Sequence, residues 1–87
     1  MKPAKLIELN EKLGDFLDCI APEITEESVF ELRCNSKIAS ILTKVKKDYS
    51  NLSRFEIVEE EDLDANIELA HYDLYYDTDL SSETIKL

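Results

Sequence analysis

His71, Cys19 and Cys34 are the side chains in this 87-residue chain best suited to nucleophilic or metal chemistry. A thiol nucleophile needs an imidazole base beside its sulfur and a third group to orient the ring. One His and two scattered Cys do not by themselves define that arrangement. A structural zinc site takes four Cys or His ligands at paired spacing, and this chain supplies three. Asp62-Leu63-Asp64-Ala65-Asn66 matches the opening of an EF-hand calcium loop, with Asp73 at the twelfth position. Position six is Ile67, where that loop needs Gly for its sharp turn, and Asp73 is shorter than the usual bidentate Glu. There is no phosphate-binding Gly loop and no dinucleotide fingerprint. The sequence therefore points to a non-catalytic protein with no catalytic residues, metal or cofactor. With no export signal, the two Cys are expected as reduced thiols.

A denser pattern lies in residues 55–79, FEIVEEEDLDANIELAHYDLYYDTD, which hold ten carboxylates and no Lys or Arg. Residues 1–54 contain nine acids and nine bases, so that part is neutral. Residues 55–87 contain eleven acids and only Lys86, so the whole net charge of −10 belongs to them. Nucleic acid and anionic membranes would be repelled by such a region. Lys37, Lys44, Lys46 and Lys47 are too few beside it for a nucleic-acid interface and read as a solvated helix face. A basic protein surface would be attracted. Solubilising acidic tails are poor in aromatics, whereas this one carries Phe55, Tyr72, Tyr75 and Tyr76. Tyr buries a large area at low entropic cost and still offers a hydroxyl, and flanking carboxylates steer a basic partner. In an extended segment alternate carboxylates stand about 6.6 Å apart, comparable to successive phosphates. The candidate partner-binding residues are Glu59, Glu60, Glu61, Asp62, Asp64, Tyr72, Asp73, Tyr75, Tyr76, Asp77 and Asp79.

The string Asp73-Leu74-Tyr75-Tyr76-Asp77-Thr78-Asp79 resembles the Tyr-Tyr segment of colicin nuclease immunity proteins. The resemblance implies a small acidic helical protein that inhibits a basic nuclease through paired tyrosines flanked by acids. It covers seven residues of 87 and lies near the C-terminus rather than mid-chain; Asp77 stands where that family has Pro. The functional expectation is an acidic binding protein that blocks a nuclease, polymerase or DNA- or RNA-binding protein. Immunity proteins, antitoxins and phage-encoded inhibitors or nucleic-acid mimics belong to that class. The rival expectation is a structural or accessory subunit, including a homodimer, whose acids serve solubility alone. No stretch approaches 18 consecutive apolar residues, and Glu8, Asn10, Glu11 and Lys12 interrupt the start, so a cytoplasmic location is expected.

The elements that must carry these residues are read from hydrophobic period. Eighty-seven residues make one domain, 1–87, with a limited core. Leu6, Leu9, Leu13, Phe16, Leu17 and Ile20 recur at three- and four-residue spacing and predict a helix over 3–20, begun by Pro3. Gly14 within it suits close packing against a neighbour. Phe30, Cys34, Ile38, Ile41, Leu42, Val45, Tyr49 and Leu52 continue the same period and predict a second helix over 25–50. A competing reading breaks it at Asn35-Ser36, with Phe30, Leu32 and Cys34 alternating as a strand and Ser36 capping a shorter helix. Residues 55–77 fit a third helix, although 70–80 also alternate as a strand. The chain has no Gly after Gly14 and no Pro after Pro22, which disfavours tight hairpins. The expected fold is a mainly α three-helix bundle with an acidic C-terminal third. The alternative is α+β with a C-terminal β-hairpin or small sheet.

Overall fold

The computed structural model describes residues 1–76 and 78–86. Helix α1 spans Pro3–Ile20, the range its apolar stripe predicts, with Pro in its first turn. The bundle expectation fails after that. Strand β1 (Ser28–Cys34) leads into helix α2 (Ser36–Val45), followed by β2 (Glu56–Glu59), β3 (Asn66–Asp73) and β4 (Ser81–Lys86). The chain is an α+β fold with a four-stranded mixed sheet in the order β2-β1-β3-β4. β1 and β2 are parallel, joined across α2, while β3 is antiparallel to both β1 and β4. The helical fold implied by the immunity-protein resemblance is overturned with the bundle.

The predicted second helix is in fact β1 and α2. Phe30, Leu32 and Cys34 alternate with Glu31 and Arg33, so the segment has an apolar and a polar face only at a period of two. Asn35, not Ser36, caps α2: its side chain accepts the Ile38 N–H at 2.8 Å. The predicted third helix is β2, a short 3₁₀ turn at Glu61–Leu63, and β3. Scarcity of Gly did not forbid a sheet. The parallel β1–α2–β2 unit needs no tight hairpin, and the turn into β3 is made by Asp64 at φ 54°, ψ −120°. β3 and β4 are joined by a longer connection over 74–80.

Both helices lie on one face of the sheet. Leu6, Leu9, Leu13, Phe16, Leu17 and Ile20 of α1 share a single cluster with Ile38, Ala39 and Leu42 of α2. Leu32, Cys34, Ile67, Leu69 and Ile85 of the sheet and the connecting Leu52 and Phe55 complete it. Truncating the fully buried Phe55 to Ala would cost about 3–5 kcal/mol, a large share of what so small a domain has. Gly14 lets α1 approach the segment before β2. A Cβ there would stand 2.6 Å from Asn51 Nδ2. That amide donates to the Asn10 carbonyl at 2.9 Å, while Asn10 Oδ1 accepts the Asn51 and Leu52 N–H groups.

The register places Val29, Glu31 and Arg33 of β1, Glu56 and Val58 of β2, and Glu68, Ala70 and Tyr72 of β3 on the opposite face. No helix covers that face among the described residues.

Asp64 sits in a backbone region that glycine enters without strain and other residues do not. Asp64→Gly should stabilise the protein by about 1 kcal/mol, a rise in Tm of about 4–8 °C for a domain of this size. Thermal unfolding followed by circular dichroism checks it, and an unchanged or lower Tm would mean the Asp side chain outweighs its backbone strain.

Candidate functional site

The candidate residues separate into two groups at opposite ends of β3. Glu59, Glu60, Glu61, Asp62 and Asp64 surround the turn that enters the strand, and Tyr72, Asp73, Tyr75, Tyr76 and Asp79 gather where it leaves. Asp77 lies outside the described residues. Eight strand residues put about 23 Å between the two ends of the strand, and of the exit group Asp79 reaches back, onto Arg33 beside Glu68. The same separation takes Asp73 away from Asp62 and Asp64, so the EF-hand-like string is not a loop.

The entry turn uses some of its polar groups structurally. Glu61 Oε1 accepts the Ser36 N–H at 2.9 Å, satisfying a free donor at the start of α2. The Glu60 N–H donates to the Cys34 carbonyl at 2.7 Å. The Asp64 carbonyl accepts the Asn35 side-chain amide.

The exit end is a shaped loop. The Leu74 N–H donates to the Glu27 carbonyl at 2.8 Å, and the Leu80 N–H to the His71 carbonyl at 2.8 Å, so both ends are tied to the sheet. Asp73 turns the chain between them: its Oδ1 accepts the Tyr75 N–H at 2.9 Å, and its carbonyl accepts the Tyr76 N–H at 3.0 Å. Leu74, Tyr75, Tyr76 and Leu80 are left 62%, 78%, 65% and 52% exposed. Single exposed apolar side chains are ordinary on a protein surface, and this loop carries four of them.

Arg33 lies beneath that loop on the uncovered sheet face. Its Nη1 and Nη2 donate to the two Asp79 oxygens at 3.0 Å each, its Nη1 also to Glu68 at 2.7 Å, and its Nε to Glu31 at 3.0 Å. The hydrogen bonds to Asp79 first, then those to Glu68 and Glu31, push its pKa further above the ordinary value, against an opposing effect of burial. Tyr72 completes the network by donating its hydroxyl to Glu31 Oε2 at 2.6 Å. That bond, helped by burial, raises the phenol from 10.0 to about 12. Glu31, Arg33, Tyr72, Leu74, Tyr76 and Asp79 line an open groove.

The sequence did not single out Arg33, Glu31, Glu68, Leu74 or Leu80. Glu31 and Arg33 alternate with Phe30, Leu32 and Cys34, so the strand reading would have put them together on a polar face. The Arg33–Asp79 contact spans 46 positions, and no local pattern announces it.

The nucleophile candidates are apart. Cys19 is exposed on α1, and Cys34 is buried in the core. Phe30 is the β1 partner of His71, and Cys34 lies four strand residues further on, about 13 Å. His71 is fully buried, stacked on Phe30 at 5.3 Å, with Nε2 2.8 Å from Ser28 Oγ. That hydroxyl also accepts the Thr25 N–H at 2.8 Å. His71 Nδ1 has no hydrogen-bond partner among the described residues. This hydroxyl–imidazole pair ties the start of β1 to the end of β3.

By architecture the molecule is a small open-faced α+β sandwich that displays an apolar loop beside its uncovered sheet face. No helix among the described residues is long and apolar enough to cross a membrane. No protein-family model matches the chain, and no curated protein or solved structure matches it.

Two outcomes follow from the ionisable groups. Burial, followed by the Glu59 charge, raises the Cys34 thiol from 9.0 to about 11, so at pH 8 a thiol reagent should titrate Cys19 alone, and both thiols only in denaturant. Fast modification of two thiols in the native protein would contradict this. Tyr72 holds its proton in the folded state to a higher pH than in the unfolded state, so its contribution should be complete below pH 10.0 and lost as pH approaches about 12. Tyr72→Phe should cost about 1–2 kcal/mol at pH 7, and that gap should close over the same alkaline window in urea titrations. A constant gap would mean that the Tyr72–Glu31 bond does not set it.

Proposed function

We propose that this protein is a non-catalytic binding module whose β3–β4 loop docks on a basic surface of a nucleic-acid-handling protein and blocks it. The observation that carries the reading is the exposure of Leu74, Tyr75, Tyr76 and Leu80 on a loop tied down at both ends. Exposed apolar side chains held in place favour association, because little order remains to be imposed on binding. Tyrosines are frequent anchors in such interfaces. The charge of −10 supports a basic partner, since complementary fields raise encounter rates and suppress wrong partners. The paired tyrosines resemble the immunity proteins in strategy while the fold does not. A nuclease, a polymerase or a DNA- or RNA-binding protein has the cationic surface this chemistry fits, and occupying it would compete with nucleic acid. Self-association is the rival use of the same loop, and two copies of charge −10 would repel at low salt.

The test compares the wild-type chain with Tyr75→Ala/Tyr76→Ala as bait in cell lysate, washed at low and then high salt, with bound proteins identified by mass spectrometry. The expected result is a basic nucleic-acid-handling protein that wild type retains, salt releases and the double variant fails to hold. Equal retention by the variant would remove the loop from the interface. A dimer in sedimentation that strengthens with salt would favour the self-association reading.

A further inference from the structure

We propose that Arg33 is the positioning residue of the recognition loop: it fixes the shape in which Tyr75 and Tyr76 are displayed, and its own charge is enclosed so that the docking face stays negative. This rests on the loop being the docking element.

The backbone of Arg33 is anchored on both sides, opposite Val58 of β2 and Glu68 of β3. Its guanidinium meets Asp79 with two parallel N–H···O bonds of 3.0 Å, which fix orientation as well as distance. The other bonded donors are held by Glu31 and Glu68, and Glu31 by the Tyr72 hydroxyl. The fork therefore has no freedom to swing away. A Lys at this position would offer a point charge and could not hold Asp79 in the same plane. Asp79 is the residue before Leu80, whose N–H enters the sheet at His71. The clamp thus sets how the far limb of the loop descends, while Asp73 sets the near limb. Three carboxylates around one guanidinium leave the face net negative, so a cation placed at its centre does not repel a basic partner.

A loop competent only part of the time binds more weakly by that fraction. The full chain with Asp79→Asn is the test, with Asp79→Glu as the conservative variant. Amide exchange by NMR and limited chymotrypsin digestion read the loop in the free protein, and binding is measured to the basic protein that wild type captures. In Asp79→Asn the Tyr75 and Tyr76 amides should exchange, and the chain be cut after them, about 10-fold faster, because cleavage follows the open population. Amides of α1 and β1 should keep wild-type rates, and affinity should fall by the ratio of the loop's competent fractions in the two proteins, both read from the exchange data. Asp79→Glu should restore most of both. Loop exchange and cleavage at wild-type rates would overturn the proposal. So would a uniform acceleration of all amides, which marks general destabilisation, or an affinity change that departs from that ratio. Failure of the docking reading shows separately, as undiminished binding by Tyr75→Ala/Tyr76→Ala.

Discussion

The structure depends on β1 having two faces. Phe30, Leu32 and Cys34 send apolar side chains towards the helices, and between them Glu31 and Arg33 hold the opposite face together. Being central, β1 pairs with both β2 and β3, so any shift of one residue would exchange the two sets and bury the guanidinium among leucines. The Arg33 network makes that register costly to lose. Its net contribution to stability is modest, because desolvation offsets much of the Coulombic gain. Its value lies in specificity: one geometry satisfies its partners on β1, β3 and the 74–80 loop together.

The same alternation explains what was legible in the sequence and what was not. Helix α1 was clear because 18 residues repeat one stripe and no other period fits them. Phe30, Cys34 and Ile38 misled because a spacing of four serves both a helix face and alternate residues of a strand. Leu32 is the residue that separates the readings: a helix would turn it away from Phe30, and a strand keeps them on one side. Residues 70–80 posed the same ambiguity: β3 takes in only 70–73 of them and begins at Asn66, with Ile67, Leu69 and His71 sharing the buried face. The scarcity of Gly pointed the wrong way because this sheet uses a crossover, one Asp at positive φ and a long connection in place of two-residue hairpin turns. In the site, Tyr75 and Tyr76 stood out as apolar rings in a polar run. The fork that holds their loop is distant in sequence and therefore silent in it.

Formal charge also overstated what the acids are free to do. Glu31, Glu68 and Asp79 are engaged by Arg33, Glu61 by the start of α2, and Asp73 by its own turn. A run of carboxylates that looks uniform in sequence is divided by the fold into groups that organise the backbone and groups that face solvent. The distinction follows from burial and donor geometry, and neither is visible in composition.

The division extends to electrostatics over distance. The acidic entry turn and the tyrosine loop are about 23 Å apart along β3. The Debye length at physiological ionic strength is about 8 Å, so the entry turn is nearly screened from anything seated on the loop. Its charge adds to the long-range field of the molecule at low salt and little to the field at the two tyrosines at physiological salt. The tyrosines and the entry turn are thus electrostatically separate, while the Asp79 carboxylate, which shares Arg33 Nη1 with Glu68, lies between them.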